Sequence, residues 1–118
     1  MINAIYTKLH NELPDVYCTR RYEPNPKSLP CLYFRETHFR PRRNVTLNYD
    51  DQQINCTVTI EVFAKDGIRA IIDTVESEMN SMYFIEESCI QVDNADITIM
   101  RYIMTFSRII CEGDNNEM

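Results

Sequence analysis

Apolar residues in this chain recur with two distinct periods. Ile2, Ile5, Tyr6, Leu9 and Leu13 fall on one face of a helix and Pro14 ends the run, which predicts a helix over Ile2 to about Glu12. Ile68, Ile71, Ile72, Val75, Met79 and Met82 repeat that spacing and predict a second helix from about Gly67 to Met82, with Asp66 placed to cap it. Between the two, INCTVTIEVF alternates strictly: Ile54, Cys56, Val58, Ile60 and Val62 point one way, and Asn55, Thr57, Thr59 and Glu61 the other. Such alternation is the mark of a half-buried strand. Further runs of β character are DVYCTRRY, SLPCLYFRET, YFIEESCIQV and DITIMRYIMTFSRII, separated by the EPNP bend and the DNAD turn.

The predicted order is αβββαββ, without internal repeat or linker. Strands joined by short turns favour a mostly antiparallel sheet of about five strands, and two amphipathic helices suit one of its faces, as an α+β two-layer sandwich. The last strand complicates this picture. Met100, Tyr102, Met104 and Phe106 form one apolar row, while Ile97, Ile99, Ile103 and Ile109 form another on the opposite side. A strand apolar on both faces is normally covered on both. The second cover is either another subunit, since monomers seldom leave a large apolar patch in water, or the chain's own loops around a central strand.

A length of 118 residues suits a single domain, read as residues 1–112 with a mobile polar tail over 113–118. Hydrophobic residues at 44% and charged residues at 25% are those of an ordinary globular protein and argue against global disorder. No apolar run reaches the roughly 18 residues of a membrane span, and Met1 to Leu13 lacks the basic flank and cleavage site of a secretory leader, so the chain is read as cytoplasmic, with no membrane partner. Cys18, Cys31, Cys56, Cys89 and Cys111 are odd in number and form no CxxC pair. They are expected to be reduced, buried thiols and not metal ligands.

Charge is unevenly placed. Residues 15–43 hold seven Lys/Arg against three acids, for +4, whereas residues 44–118 hold four against fourteen, for -10, within an overall net charge of -6. The positive charge is densest in RETHFRPRR, which carries Arg35, His38, Arg40, Arg42 and Arg43. Clustered arginine with Phe39 could neutralise phosphates and stack on bases. The acidic balance of the whole chain opposes that reading, because it repels a polyanion at long range. The segment also lies where the second strand must connect to the third, as a long hairpin tip. A basic tip on an acidic body suits contacts between copies, and contacts made through two different patches generate rings or filaments.

Chemical signatures are sparse. His10 lies on the first helix, where exposure is the default, and His38 has no nucleophile near it in sequence. There is no GxSxG and no HExxH, and two glycines, Gly67 and Gly113, cannot build a phosphate cradle. The adjacent acids Asp50/Asp51 and Glu86/Glu87 would point to opposite faces of a strand. The expectation is therefore no catalytic residue, no metal and no cofactor.

The helix INAIYTKLHNEL, the turn and strand YEPNPKSLPCLYF, a long loop, the strand INCTVTIEVFA, the helix DGIRAIIDTVESEMNSMYF and two closing strands together resemble the tail terminator, or tail-completion, proteins of long-tailed bacteriophages, over nearly all of residues 1–112. Leu29 stands where the pattern favours a larger aromatic, and the arginine loop is more basic than the pattern requires. The resemblance implies a structural protein of the virion neck, assembled in the cytoplasm of the host bacterium. Such proteins form hexameric rings that cap the head-proximal end of the tail tube, end its polymerisation and join it to the head connector, while DNA passes through without specific binding. With the basic hairpin tip and the second apolar row of the last strand, Arg35, His38, Arg40, Arg42, Arg43, Ile97, Ile99 and Ile103 are the candidates for the subunit or tail-tube interface. The alternatives are a head-completion ring protein of the same neck, or a small regulatory or nucleic-acid-binding module that uses the Arg35 to Arg43 loop.

Overall fold

The computed structural model describes residues 2–20, 28–39, 53–94 and 96–111. Its elements are α1 (Ile2–Glu12), β1 (Tyr17–Thr19), β2 (Cys31–Phe39), β3 (Gln53–Ala64), α2 (Ile68–Ser81), β4 (Ile85–Val92) and β5 (Met100–Cys111), in the predicted order. The protein is α+β, with one five-stranded sheet ordered β1-β2-β3-β5-β4. All pairings are antiparallel except β1 with β2. Eleven residues separate β1 from β2, and a parallel neighbour needs such a return connection because a tight turn cannot supply it.

Alternation on β3 decides which face is buried. Cys56, Val58, Ile60, Val62 and Ala64 are buried and share one core cluster with Ile5 and Leu9 of α1 and with Ile68, Ile71, Ile72, Val75 and Met79 of α2. Leu32 and Phe34 on β2 oppose Val62 and Ile60, and Met104 and Phe106 on β5 oppose Ile60 and Val58, so they join the same cluster. Both helices thus lie against one face of the sheet. Lys8 of α1 and Glu78 of α2 form an ion pair at 3.6 Å beside their contact. Helix α2 starts from Gly67 at φ +66 with no side-chain cap, so Asp66 does not cap it as expected. A Cβ at Gly67 would meet nothing within 4 Å, so the backbone conformation, not space, demands glycine there.

The opposite face differs from the expectation of a continuous isoleucine row. Strand β5 begins at Met100, not at Asp96, because Asp96 organises a turn: its Oδ1 accepts from the Thr98 N–H at 2.9 Å and the Thr98 hydroxyl at 2.6 Å, and its carbonyl accepts from Ile99 N–H. These bonds hold the Asp96 carboxyl below its ordinary pKa, the hydroxyl bond contributing most. Ile97 therefore lies in the turn, 94% exposed, while Ile99 is 8% exposed in a second small cluster with Cys31 and Phe63, against which Leu29 packs. Further along this face come Ile103, half-buried, then Thr105 and Ser107, and last the exposed Ile109. The row is broken by polar residues, and at the Ile99 end the chain covers it with its own side chains.

Replacing Val58 with Asp should destabilise the protein by about 3–5 kcal/mol in chemical denaturation, since it strands a charge in the core. The same replacement at Thr59, on the other face and opposite Arg35, should cost under about 1 kcal/mol. Ile99→Asp should resemble Val58→Asp, because its site is closed within the chain.

Candidate functional site

The sheet face turned away from the helices is mostly polar. Tyr33, Arg35 and Thr37 on β2 oppose Glu61, Thr59 and Thr57 on β3, and these in turn oppose Ile103, Thr105 and Ser107 on β5. No described helix or strand packs on it. Glu61, placed by the sequence on the polar side of β3, is buried in the fold. Arg101 donates to Glu61 Oε1 from Nε at 2.9 Å and from Nη2 at 2.5 Å, and its guanidinium lies 5.4 Å from the centroid of the Phe63 ring. The signal for this pair was an acid and an arginine on neighbouring strands. Only the register, which sets Phe63 opposite Arg101 and Glu61 one alternation away, could bring them together.

The candidate interface residues separate in space. Arg35 is exposed on the open face of β2. His38 is near the end of β2 in register with Cys56. Arg40, Arg42 and Arg43 lie outside the described residues, as does the 113–118 tail; the pairing of Phe39 with Asn55 is the last described one before them. Ile97 sits beyond the start of β5, and Ile103 opposes both Glu61 and Ile90. Ile99 leaves the interface set, because it is buried against Phe63 and Cys31 of its own chain.

Sequence reasoning missed the corner where α2 runs into β4. The helix closes with Tyr83 N–H donating to the Asn80 carbonyl and Phe84 N–H to the Met79 carbonyl, both at 3.0 Å, the pairing of a Schellman cap. The left-handed position of that cap, usually glycine, is Tyr83 at φ +67. Its ring is 77% exposed and has the Arg108 guanidinium 5.7 Å from its centroid. Beside it is an open cavity of about 460 Å³ lined by Glu76, Ser77, Asn80, Phe84, Ile85, Glu86 and Phe106. Glu86 and Glu76 share a hydrogen bond there, and the Glu86 carboxyl is pushed up from the usual 4.5 to about 7, first by burial and then by the bond and charge of Glu76, against the opposing pull of Arg69. Glu87, the next residue, is the extra residue of a β-bulge and reaches the other way, accepting from Ser107 Oγ. The two neighbours do face apart, as expected, and Glu86 finds its carboxyl partner on the helix instead.

Cys89 completes a trio with Glu76 and Glu86 whose ligand atoms lie within 4.8 Å of one another. Its thiol is raised by burial and by both glutamates. To hold a cation the trio would have to give up both the shared carboxyl proton and the thiol proton. The buried thiols of Cys18 and Cys56 are each pushed up to about 11, Cys18 by burial and Cys56 by burial and then Glu36. At neutral pH they are protonated and poorly nucleophilic. His10 is exposed, with its ring stacked on Tyr6 at 5.7 Å between centroids. Among the described residues, no nucleophile, base and orienting group converge. Neither a protein-family model nor a curated protein matches the sequence.

An acid whose pKa is higher in the folded state binds its proton more tightly there, so stability is greatest on the acid side and declines as pH rises between the unfolded and folded values. For Glu86 that interval runs from 4.5 to about 7. Thermal unfolding of the wild type should show this decline, and Glu86→Gln should flatten it. An unchanged slope in the variant would mean that Glu86 does not carry the effect.

Proposed function

We propose that this protein is a structural subunit of a phage tail: it forms a ring that caps the head-proximal end of the tail tube, ends tail polymerisation and joins the tail to the head connector, with DNA passing through the ring. The observation that carries this reading is the arrangement of the sheet. Elements in the order of the resembled family make one sheet with both helices on one face, while the other face, largely Thr, Ser and charged residues, has no described element upon it. That is the surface of a building block whose remaining contacts are made with other molecules. No described helix is long and apolar enough to cross a membrane.

In this reading Arg40, Arg42 and Arg43 make protein contacts with acidic surface, on a neighbouring subunit or on the tail tube. Electron microscopy of the purified protein with tail tubes tests it directly: rings alone and capped tube ends are expected. The triple change of Arg40, Arg42 and Arg43 to Glu should weaken capping, and high salt should weaken it only in part, because contacts shielded from solvent are screened less. Nucleic-acid binding by the same loop predicts something different. Duplex affinity of the wild type would then fall steeply with salt, at a log–log slope near -0.9 per phosphate contacted. If the triple variant loses such binding and still caps tubes, the loop is a DNA grip and the assembly role of the arginines is wrong.

A further inference from the structure

Glu86 and Cys89 are three residues apart on β4, a spacing that puts two side chains on opposite faces of a regular strand. The bulge between Glu86 and Ser88 absorbs one residue, so Glu86 pairs with Phe106 and Cys89 with Met104, and both partners belong to the core face that carries the helices. Without that extra residue Cys89 would face away from Glu86. Bulges re-aim side chains in this way and are over-represented next to active sites. Glu76 on α2 meets the pair, and the ligand atoms of Glu76, Glu86 and Cys89 lie within 4.8 Å of one another. Glu76 and Cys89 are half-buried and Glu86 is exposed. The open cavity of about 460 Å³ borders both glutamates, with Ser77 and Asn80 also in its wall.

We propose that Glu76, Glu86 and Cys89 bind a single divalent cation of the zinc class. Two carboxyl groups this close repel when both are charged, and a metal ion relieves that repulsion as the hydrogen bond between them does. On binding, the shared carboxyl proton and the thiol proton pass to solvent and three metal–ligand bonds form. The donor set selects the ion. Magnesium and calcium take oxygen ligands, whereas zinc accepts sulfur and carboxylate oxygen together. Zinc bonds of about 2.0–2.3 Å place tetrahedral donors about 3.3–3.8 Å apart, a closure that rotation of the exposed Glu86 side chain can supply. Arg69, whose charge acts on both Glu86 and Cys89, completes the balance, since three anionic ligands then face the two charges of the ion and one guanidinium. The fourth tetrahedral position opens on the cavity, where water can fill it.

Isothermal titration of the reduced, chelator-treated protein with zinc, together with the absorption spectrum of its cobalt(II) complex, tests the site. The wild type should bind one zinc per chain with a dissociation constant of about 1 μM or tighter, and a large excess of magnesium should leave that affinity unchanged. Its cobalt complex should show a thiolate-to-metal charge-transfer band. Cys89→Ser should abolish the band, and Glu76→Gln and Glu86→Gln should each weaken zinc at least about tenfold, since even groups outside the ligand shell are worth that much. Far-UV circular dichroism of each variant checks that it is folded, and the three substitutions lie on two different elements, so a defect in one leaves the others to decide. A wild type without stoichiometric zinc binding at about 100 μM, far above that constant, would overturn the proposal. So would a charge-transfer band that survives Cys89→Ser, or zinc affinity that is the same in both glutamine variants as in the wild type.

Discussion

The buried row Cys56, Val58, Ile60, Val62 and Ala64 on β3 is the constraint from which the rest of the molecule follows. Strand β3 is twelve residues long, lies in the middle of the sheet, and pairs along nine positions with β2 and twelve with β5. A slip of one residue in either ladder would turn every side chain to the other face. It would expose Phe34 or Met104 and bury Arg35 or Thr105. Both helices depend on that row, because their buried residues share one core cluster with it. Helix formation here is driven by the sheet more than by propensity: α1 spans eleven residues, shorter than an isolated helix needs in water.

A sheet whose helices occupy one face must make the other compatible with water or with a partner. This protein does so by threonine and serine on β3 and β5, and by pairing the buried Glu61 with Arg101 over Phe63. A buried carboxylate beside an aromatic ring would be costly without that guanidinium, and breaking such a pair strands the remaining charge. The consequence is a face that is stable when uncovered yet rich in groups able to hydrogen-bond. Among the described residues, large apolar side chains are exposed at separate points: Tyr17 on β1, Ile97 in the turn, Ile85 and Ile90 on the edge strand, Ile109 near the end of β5 and Tyr83 at the helix end.

At the α2–β4 corner, strain and charge repulsion coincide. Tyr83 occupies a left-handed position that costs a residue with a Cβ about 1–2 kcal/mol, and the neighbouring carboxyls of Glu76 and Glu86 are close enough to share a proton near neutral pH. Neither feature improves the isolated fold. The corner stands next to the edge strand β4, which carries Glu86 and Glu87.

The sequence by itself determined the class, the order of elements and the core. Ile2–Glu12 is a helix because a spacing of three and four residues is local information, and the β3 alternation is equally local. The ends of elements were less legible: Asp96 draws Thr98 into a turn and shortens β5 at its start, and the α2 entry uses the backbone freedom of Gly67 in place of the Asp66 side chain. Only the tertiary structure decided which residues meet. Ile99 was read as an interface isoleucine and is closed by Cys31 and Phe63, which lie 68 and 36 residues away along the chain. Glu86 was paired in sequence with Glu87 and in space with Glu76, and Glu61 found Arg101 across the ladder. Periodicity reports the face on which a side chain lies, whereas its neighbours are set by strand order and register, which depend on the whole chain at once.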